Sequence, residues 1–280
     1  MLTSTKIPLA SISKLRLAGP ISNVAEIRLR SGRPAVCVEI SGKMTECSEP
    51  FSAREISDVF AEICGYSVYS YENDIARGFV TISGGHRVGI CGTCVYKNGK
   101  IETIRDISSL NIRIAHEVKG CANKLVRMIF SDKPRSLLLG GPVMSGKTTV
   151  LRDLARILSE RFRVSVIDSR GEISAAVKGT PSFDVGLNTD VLCGCDKTDG
   201  ILMALRTLSP EIIICDEIGD DERAIEQCAF CGAKIIASAH AGDFGELKSR
   251  PSTRAVLPYF DAAAIVKDRG VISEIHIMRE

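Results

Sequence analysis

The rhythm of hydrophobic and polar positions changes once along this chain, near residues 112–118, and the two rhythms predict two kinds of structure. Before the change, short alternating stretches dominate. Ile27 and Leu29 alternate with Glu26, Arg28 and Arg30, and Ser31-Gly32-Arg33-Pro34 turns the chain into an apolar run from Ala35 to Ile40. Ser52-Ala53-Arg54-Glu55 reads as a capping box, after which Ile56, Val59, Phe60, Ile63 and Cys64 keep helical spacing up to Gly65. A second helical stretch ends near Gly78. Phe79 to Ile82, Arg87 to Tyr96 and Ile101 to Ile104, separated by Ser83-Gly84-Gly85 and Asn98-Gly99, then read as consecutive hairpins. Together these predict a small α+β domain over residues 1–114.

After the change, the pattern becomes helix, strand, helix, strand. A helix running to Phe130 precedes apolar runs at 136–139, 164–167, 211–215 and 234–239, and Val150, Leu151, Leu154, Ile157 and Leu158 fall on one helical face. Short apolar strands alternating with helices predict a parallel sheet covered by helices, an α/β domain over residues 115–280.

The chemistry collects at the ends of those strands. Gly141-Pro142-Val143-Met144-Ser145-Gly146-Lys147-Thr148 matches GxxxxGK(S/T) between a strand and a helix. Its glycines let backbone N–H groups approach phosphate oxygens, Lys147 adds positive charge toward the terminal phosphates, and Thr148 places a hydroxyl for Mg²⁺. That arrangement implies a nucleoside triphosphate, ATP or GTP. A second apolar strand, Ile212 to Cys215, ends in Asp216 and Glu217: Asp216 suits the metal shell, and Glu217 suits orienting or deprotonating a water. Two further strands run into Asp168-Ser169-Arg170-Gly171-Glu172 and into His240, and strand ends of a doubly wound sheet converge on the ligand crevice. Asp168, Glu172 and His240 are therefore candidates for the terminal phosphate's surroundings, with a plain turn at 168–172 and a structural histidine as the alternatives.

Composition narrows the partners. Thirty-six basic against 34 acidic residues give a net charge of +2, so no global field draws the chain to nucleic acid or an anionic membrane. No 18 apolar residues run together and no secretory segment opens the chain, which predicts a cytoplasmic location. Eleven cysteines in that setting read as reduced thiols. Cys91 and Cys94, on an expected strand, point to opposite faces by their spacing of three, which disfavours zinc; Cys228 belongs to a helical core face, and packing as small hydrophobes is the default for the rest.

These stretches together resemble the secretion ATPases. The phosphate loop, VIDSRGEI, SPEIIICDEIG and ASAHAG are similar to the first nucleotide motif, aspartate box, second nucleotide motif and histidine box of that family. EIRLRSGRP, SVYSYENDIARGFVTISGGHRVGICG and TIRDISSLNIRIAHE are similar to segments of its sporulation branch, so the likeness covers nearly the whole chain. The resemblance implies a RecA-like ATPase domain and a homo-oligomer, expected to be a hexamer, that uses ATP and Mg²⁺. It would work in the mother-cell cytoplasm of an endospore former and dock on an integral membrane protein of a channel complex. It further implies arginines from the N-terminal domain near the nucleotide. Arg87, Arg105 and Arg113 occupy the matching hairpin region, and Arg87 is the best candidate, although surface arginines paired with sheet acids would look the same. The chain departs from the family at Ser169, where an acid is expected, and at Glu211, where an aspartate is common. Two other classes remain: a nucleotide-gated nucleic-acid binder, disfavoured because no dense basic tract is present, and an ATP-binding scaffold without turnover, disfavoured by intact Lys147, Thr148, Asp216 and Glu217.

Overall fold

The computed structural model describes residues 10–219 and 221–279, and its contacts fall into two units, one ending at Glu117 and the other beginning at Val118. In the first unit the alternating stretches become β1 (Val24–Arg30), β2 (Arg33–Glu39) and β3 (Met44–Phe51), followed by α1 (Ala53–Ile63), α2 (Glu72–Ala76), β4 (Phe79–Ile82), β5 (His86–Lys97) and β6 (Lys100–Arg113). They form one antiparallel sheet in the order β3-β2-β1-β6-β5-β4. The capping box starts α1 as its sequence predicts: Ser52 accepts from the Glu55 N–H at 3.2 Å, and Glu55 Oε2 accepts from the Ser52 N–H at 2.7 Å. Period-two alternation then sorts the strands. Ile27, Leu29, Val88, Ile90, Leu110 and Ile112 join Ile56, Val59, Phe60 and Ile63 of α1 in one core, so the intervening Glu26, Arg28, Arg30, Arg87 and Arg113 share the opposite face.

β6 is much longer than the expected 101–104 run, because its second half supplies the central pairing for β1 over residues 109–113. Its first half pairs only with β5. From Cys91 to Lys100 this two-stranded ribbon is exposed at every position except Val95, which corrects the default reading of Cys91 and Cys94 as buried packing residues. Both thiols are exposed, on a stretch where β5 and β6 pair only with each other among the described residues; Cys193 and Cys231 are likewise exposed, whereas Cys228 is buried as expected. Gly92 is needed at the ribbon's base, where an added Cβ would lie 2.3 Å from the Arg105 carbonyl.

The second unit runs α3 (Asn123–Ile129), β7 (Leu137–Gly141), α4 (Lys147–Leu158), β8 (Val164–Asp168), β9 (Thr189–Cys193), α5 (Lys197–Thr207), β10 (Ile212–Cys215), α6 (Glu222–Phe230), β11 (Lys234–His240), α7 (Phe244–Ser249), α8 (Pro251–Val256), β12 (Ala262–Lys267) and β13 (Val271–Ile277). Its sheet has the order β13-β12-β7-β11-β10-β8-β9, parallel throughout except for the edge strand β13. The central strands are apolar at consecutive positions because both faces are covered. Leu137, Leu139, Val166, Ile212 and Ile214 pack with α3 and α4 on one side. Leu138, Ile213, Cys215, Ile235 and Ala237 pack with α5, α6 and α8 on the other. The α/β reading of this unit holds; the sequence pattern missed β9, β12 and β13. Strand β9 is only half-buried and polar, and the Ala-rich β12 carries little strand signature.

Candidate functional site

Strand order decides which side chains meet. β11 lies between β7 and β10, and β10 lies between β11 and β8, all parallel. Read across the sheet, the C-terminal ends therefore present the phosphate loop, then His240, then Asp216 and Glu217, then Asp168. Residues scattered over a hundred positions of sequence become neighbours because parallel strands put every C-terminus on one edge.

The loop itself is built by close approach. Gly146, the N-cap of α4, has φ of +97°, and a Cβ there would sit 2.5 Å from the Gly270 N–H in the β12–β13 turn; one at Gly141 would sit 2.5 Å from the Val266 carbonyl. Glycine is required at both positions. Val143 and Met144 stand exposed at the tip, and Met144 holds a left-handed φ of +62°. Ser145 is buried, and its hydroxyl has no partner among the described residues. An unpaired hydroxyl inside a glycine-built cradle fits a ligand rich in acceptor oxygens, such as a polyphosphate.

Lys147 is 7% exposed. Its ammonium donates to the carbonyls of Gly141 (2.9 Å) and Pro142 (2.8 Å) and meets His240 Nδ1 at 3.4 Å. Burial pushes its pKa below the ordinary lysine value, while Asp216 and Glu217 pull it back up. Because an ammonium only donates, His240 Nδ1 is the acceptor, and the ring proton sits on Nε2, which donates to Glu217 Oε1 at 2.9 Å. The other Glu217 oxygen, Oε2, accepts from Arg170 Nη1 at 3.2 Å. Asp216 is held from two sides: Oδ2 accepts from the Thr148 hydroxyl at 3.1 Å and Oδ1 from the Ser238 hydroxyl at 2.7 Å. Ser238 in turn accepts from the Glu217 N–H at 3.0 Å. A continuous chain thus runs from Lys147 through His240 to Glu217, and from Thr148 through Asp216 back to the same glutamate.

The expected residues divide. Lys147, Thr148, Asp216, Glu217 and His240 come together. Asp168 is 1% exposed and spends both oxygens on its own turn, Oδ1 accepting from the N–H groups of Glu172 (2.9 Å) and Ile173 (3.2 Å) and Oδ2 from the N–H (2.8 Å) and hydroxyl (2.6 Å) of Ser174. Of the two readings of 168–172, the turn describes Asp168. Glu172 enters that turn through its backbone, its carbonyl accepting from Arg152 at 2.7 Å. Arg87 belongs to the other unit, stacked 3.5 Å over the Phe79 ring and opposite Arg113 across β5 and β6. Arg170, Ser238, Lys197 and Asp221 were not singled out from the sequence. Ser238 carries a usable signal, a polar residue inside an otherwise apolar strand; Arg170 carries none, since an arginine in a strand-end turn is ordinarily solvated. Among the described residues, no group of three or more His, Cys, Asp or Glu side chains is arranged to hold a metal by itself. Thr148 and Asp216, in contact at the loop's edge, fit a Mg²⁺ ion that arrives with phosphates, which keeps few protein ligands.

The model of the family described as sporulation stage III, protein AA, matches residues 7–275. Stage III sporulation protein AA of Bacillus subtilis is 34% identical over 267 residues, covering 90% of this chain and 86% of that protein. The protein SEEDLING PLASTID DEVELOPMENT 1 of Arabidopsis thaliana is 24% identical over 262 residues, 90% of this chain but 35% of that longer protein. Among solved structures, the ATPase DotB of Legionella pneumophila superposes with a TM-score of 0.55 at 15% identity, over 87% of this chain and 72% of that one. The pilus retraction motor PilT with bound ADP gives 0.57 at 16% identity, over 86% and 74%. At such identities these structures show a shared fold, that of the RecA-like secretion ATPases.

Proposed function

The chain belongs to the sporulation stage III, protein AA family, and from that premise we propose that it is an ATP-hydrolysing motor of a secretion-like channel complex used in endospore formation. The observation that carries the reading is the contact chain in which Thr148 touches Asp216 while Lys147, through His240, reaches Glu217. A binding site alone needs the loop; it does not need a glutamate held at both carboxylate oxygens one residue beyond the metal aspartate.

In this reading, the loop N–H groups and Lys147 bind the phosphates of ATP, and Thr148 and Asp216 would hold Mg²⁺, which would supply charge neutralisation at the phosphates. Glu217 orients the attacking water and takes its proton on a carboxylate oxygen, each oxygen keeping a second lone pair beside its bond to His240 or Arg170. His240, donating from Nε2, fixes the carboxylate's rotation, and Glu172 and His240 complete the polar surround. By the family resemblance, Arg87 is the arginine that would supply positive charge to the transition state in a homo-oligomer, expected to be a hexamer. Family membership supports docking on an integral membrane protein of the sporulation channel from the cytoplasmic side; among the described residues no helix is long and apolar enough to cross a membrane.

The test separates binding from chemistry. Lys147→Ala should abolish most affinity in a fluorescent-ATP titration. Glu217→Gln should bind ATP normally and lower kcat by roughly 10²- to 10⁴-fold, the usual contribution of a general base. Equal loss of binding in both variants, or full turnover in Glu217→Gln, would remove Glu217 from this role.

A further inference from the structure

The carboxylate of Glu217 is aimed by the groups it touches, but its backbone has to be fixed as well, and that task falls to two helix starts on the far side from the phosphate loop. Lys197 is the first residue of α5, whose N-cap Asp196 accepts from the Asp199 N–H. Its ammonium donates to the Glu217 carbonyl in a short hydrogen bond and to Asp221 Oδ2 at 3.1 Å. Asp221, the N-cap residue of α6, is 9% exposed. The same Oδ2 accepts from the Gly219 N–H at 2.9 Å, and Oδ1 accepts from the Thr198 hydroxyl at 3.3 Å. Lys197 and Asp221 therefore strap the residues that follow the catalytic acid to the starts of both helices, with side-chain exposures of only 16% and 12%. Beside them lies a cavity of about 450 Å³ lined by Ser169, Arg170, Thr198 and Glu217, so without the strap the acid's backbone has open space to move into.

We propose that Lys197 and Asp221 form a positioning pair for Glu217, acting on its main chain so that the carboxylate is presented to water at the correct place and angle. This rests on the reading of Glu217 as the water-activating acid. A half-buried cation and a buried anion that bond to each other and to backbone are costly to leave half-made, which makes the pair a fastening that is lost when either partner is removed. Displacing a general base by about 1 Å costs on the order of a hundredfold in rate while leaving binding contacts elsewhere intact.

The test compares kcat and ATP affinity in the full-length chain. Lys197→Met should lower kcat by about ten- to a hundredfold with fluorescent-ATP affinity within about twofold of the parent. Lys197→Arg, which keeps the charge and can reach both acceptors, should recover much of the loss. Asp221→Asn, nearly isosteric and able to accept from the Gly219 N–H, covers the case in which Lys197→Met fails to fold; it should lower kcat in the same direction. The decisive readout is the double variant Lys197→Met/Glu217→Gln in single-turnover hydrolysis at high enzyme concentration: if Lys197 acts through Glu217, the double variant is no slower than Glu217→Gln alone. A full additional loss in the double variant, or unaltered kcat in Lys197→Met and Asp221→Asn while Glu217→Gln is inactive, would overturn the pairing and leave the catalytic acid in place. Full turnover in Glu217→Gln would instead overturn the reading on which it rests.

Discussion

The two sheets of this chain put their polar residues in opposite places. In the parallel sheet of residues 118–280 every central strand ends at the same edge, so the loop after β7, His240, Asp216 and Glu217 meet there as a consequence of strand order alone. In the antiparallel sheet of the first unit neighbouring strands run in opposite directions and their ends scatter. Polar side chains gather instead on the open face, where Glu26 stands opposite Arg113, Arg87 also stands opposite Arg113, and Arg28 and Arg30 follow at every second position. A parallel sheet makes a site at an edge, while an antiparallel one makes a surface. Glu26 is shared at 3.6 Å by Arg28 and at 3.7 Å by Arg113, contacts too exposed to add much to stability.

The contrast is sharpest at Arg87, which gives the largest expected effect. If the first unit contributes to chemistry, Arg87→Ala should cut turnover on the order of 10³-fold with ATP affinity little changed, as for an arginine that meets charge only in the transition state. Activity per milligram should also rise with protein concentration. Wild-type turnover in Arg87→Ala, with a rate independent of concentration, would return the arginine face to a purely structural standing.

The same contrast explains what could be read in advance. The phosphate loop and the Asp216–Glu217 strand end were legible because their function demands a fixed local spacing, and the apolar runs before them announce buried parallel strands. The partnership of Glu217 with Arg170, and of its backbone with Lys197, depends on a turn and a helix start 47 and 20 residues away in the chain, and no local pattern encodes it. The extent of β6 was missed for a related reason: beyond Ile104 the alternation is broken by Asp106, which takes a positive φ of 48°, and the strand resumes where β1 pairs with it on one side and β5 on the other. Asp168 is the instructive middle case. Strand-end logic placed it correctly at the crevice edge, yet its carboxylate is consumed by the next six residues.

That case yields the second prediction. Asp168→Asn replaces an acceptor-only group by one with an N–H₂ facing donors, leaving bonds to Glu172, Ile173 or Ser174 unmade inside the protein. A loss of about 3 kcal/mol is expected from urea unfolding, at the upper end for an unsatisfied buried group. Unchanged stability with impaired turnover would return Asp168 to the catalytic surround and extend the edge site to β8.

A smaller effect, of opposite sign, is expected at the loop tip. Met144 is 91% exposed, so its side chain buries almost nothing, while its left-handed backbone costs about 1–2 kcal/mol for a residue with a Cβ. Glycine removes that strain but loses about 0.4–1 kcal/mol through the freer unfolded chain. Met144→Gly should therefore stabilise the second unit by roughly 0.5 kcal/mol, the small difference of those two figures, seen as a slightly higher urea midpoint. Destabilisation instead would mean that Met144 packs against something that the isolated chain does not contain, such as a second copy at the nucleotide edge.

The smallest effect belongs to the first unit, and it concerns pH. Glu55 accepts from Lys14 at 2.5 Å and from the Ser52 N–H and hydroxyl; the Lys14 bond first and the two Ser52 bonds after it pull its carboxyl pKa down to about 2 from the ordinary 4.5. A depressed carboxyl stabilises the folded state above its unfolded value and loses that contribution as pH falls through the folded one. The stability gap between the parent chain and Glu55→Gln should therefore be full at pH 6, shrink progressively below about pH 4.5 and close near pH 2. Because this acid is solvent-exposed, unlike Asp168, added salt should narrow the gap at pH 6 as well, by screening the ammonium of Lys14. A gap that persists unaltered from pH 6 to pH 2 would show that the side chain acts at the start of α1 through its hydrogen bonds in either protonation state. The charge would then contribute nothing, and the first unit would resemble the second in relying on bonded geometry more than on electrostatics.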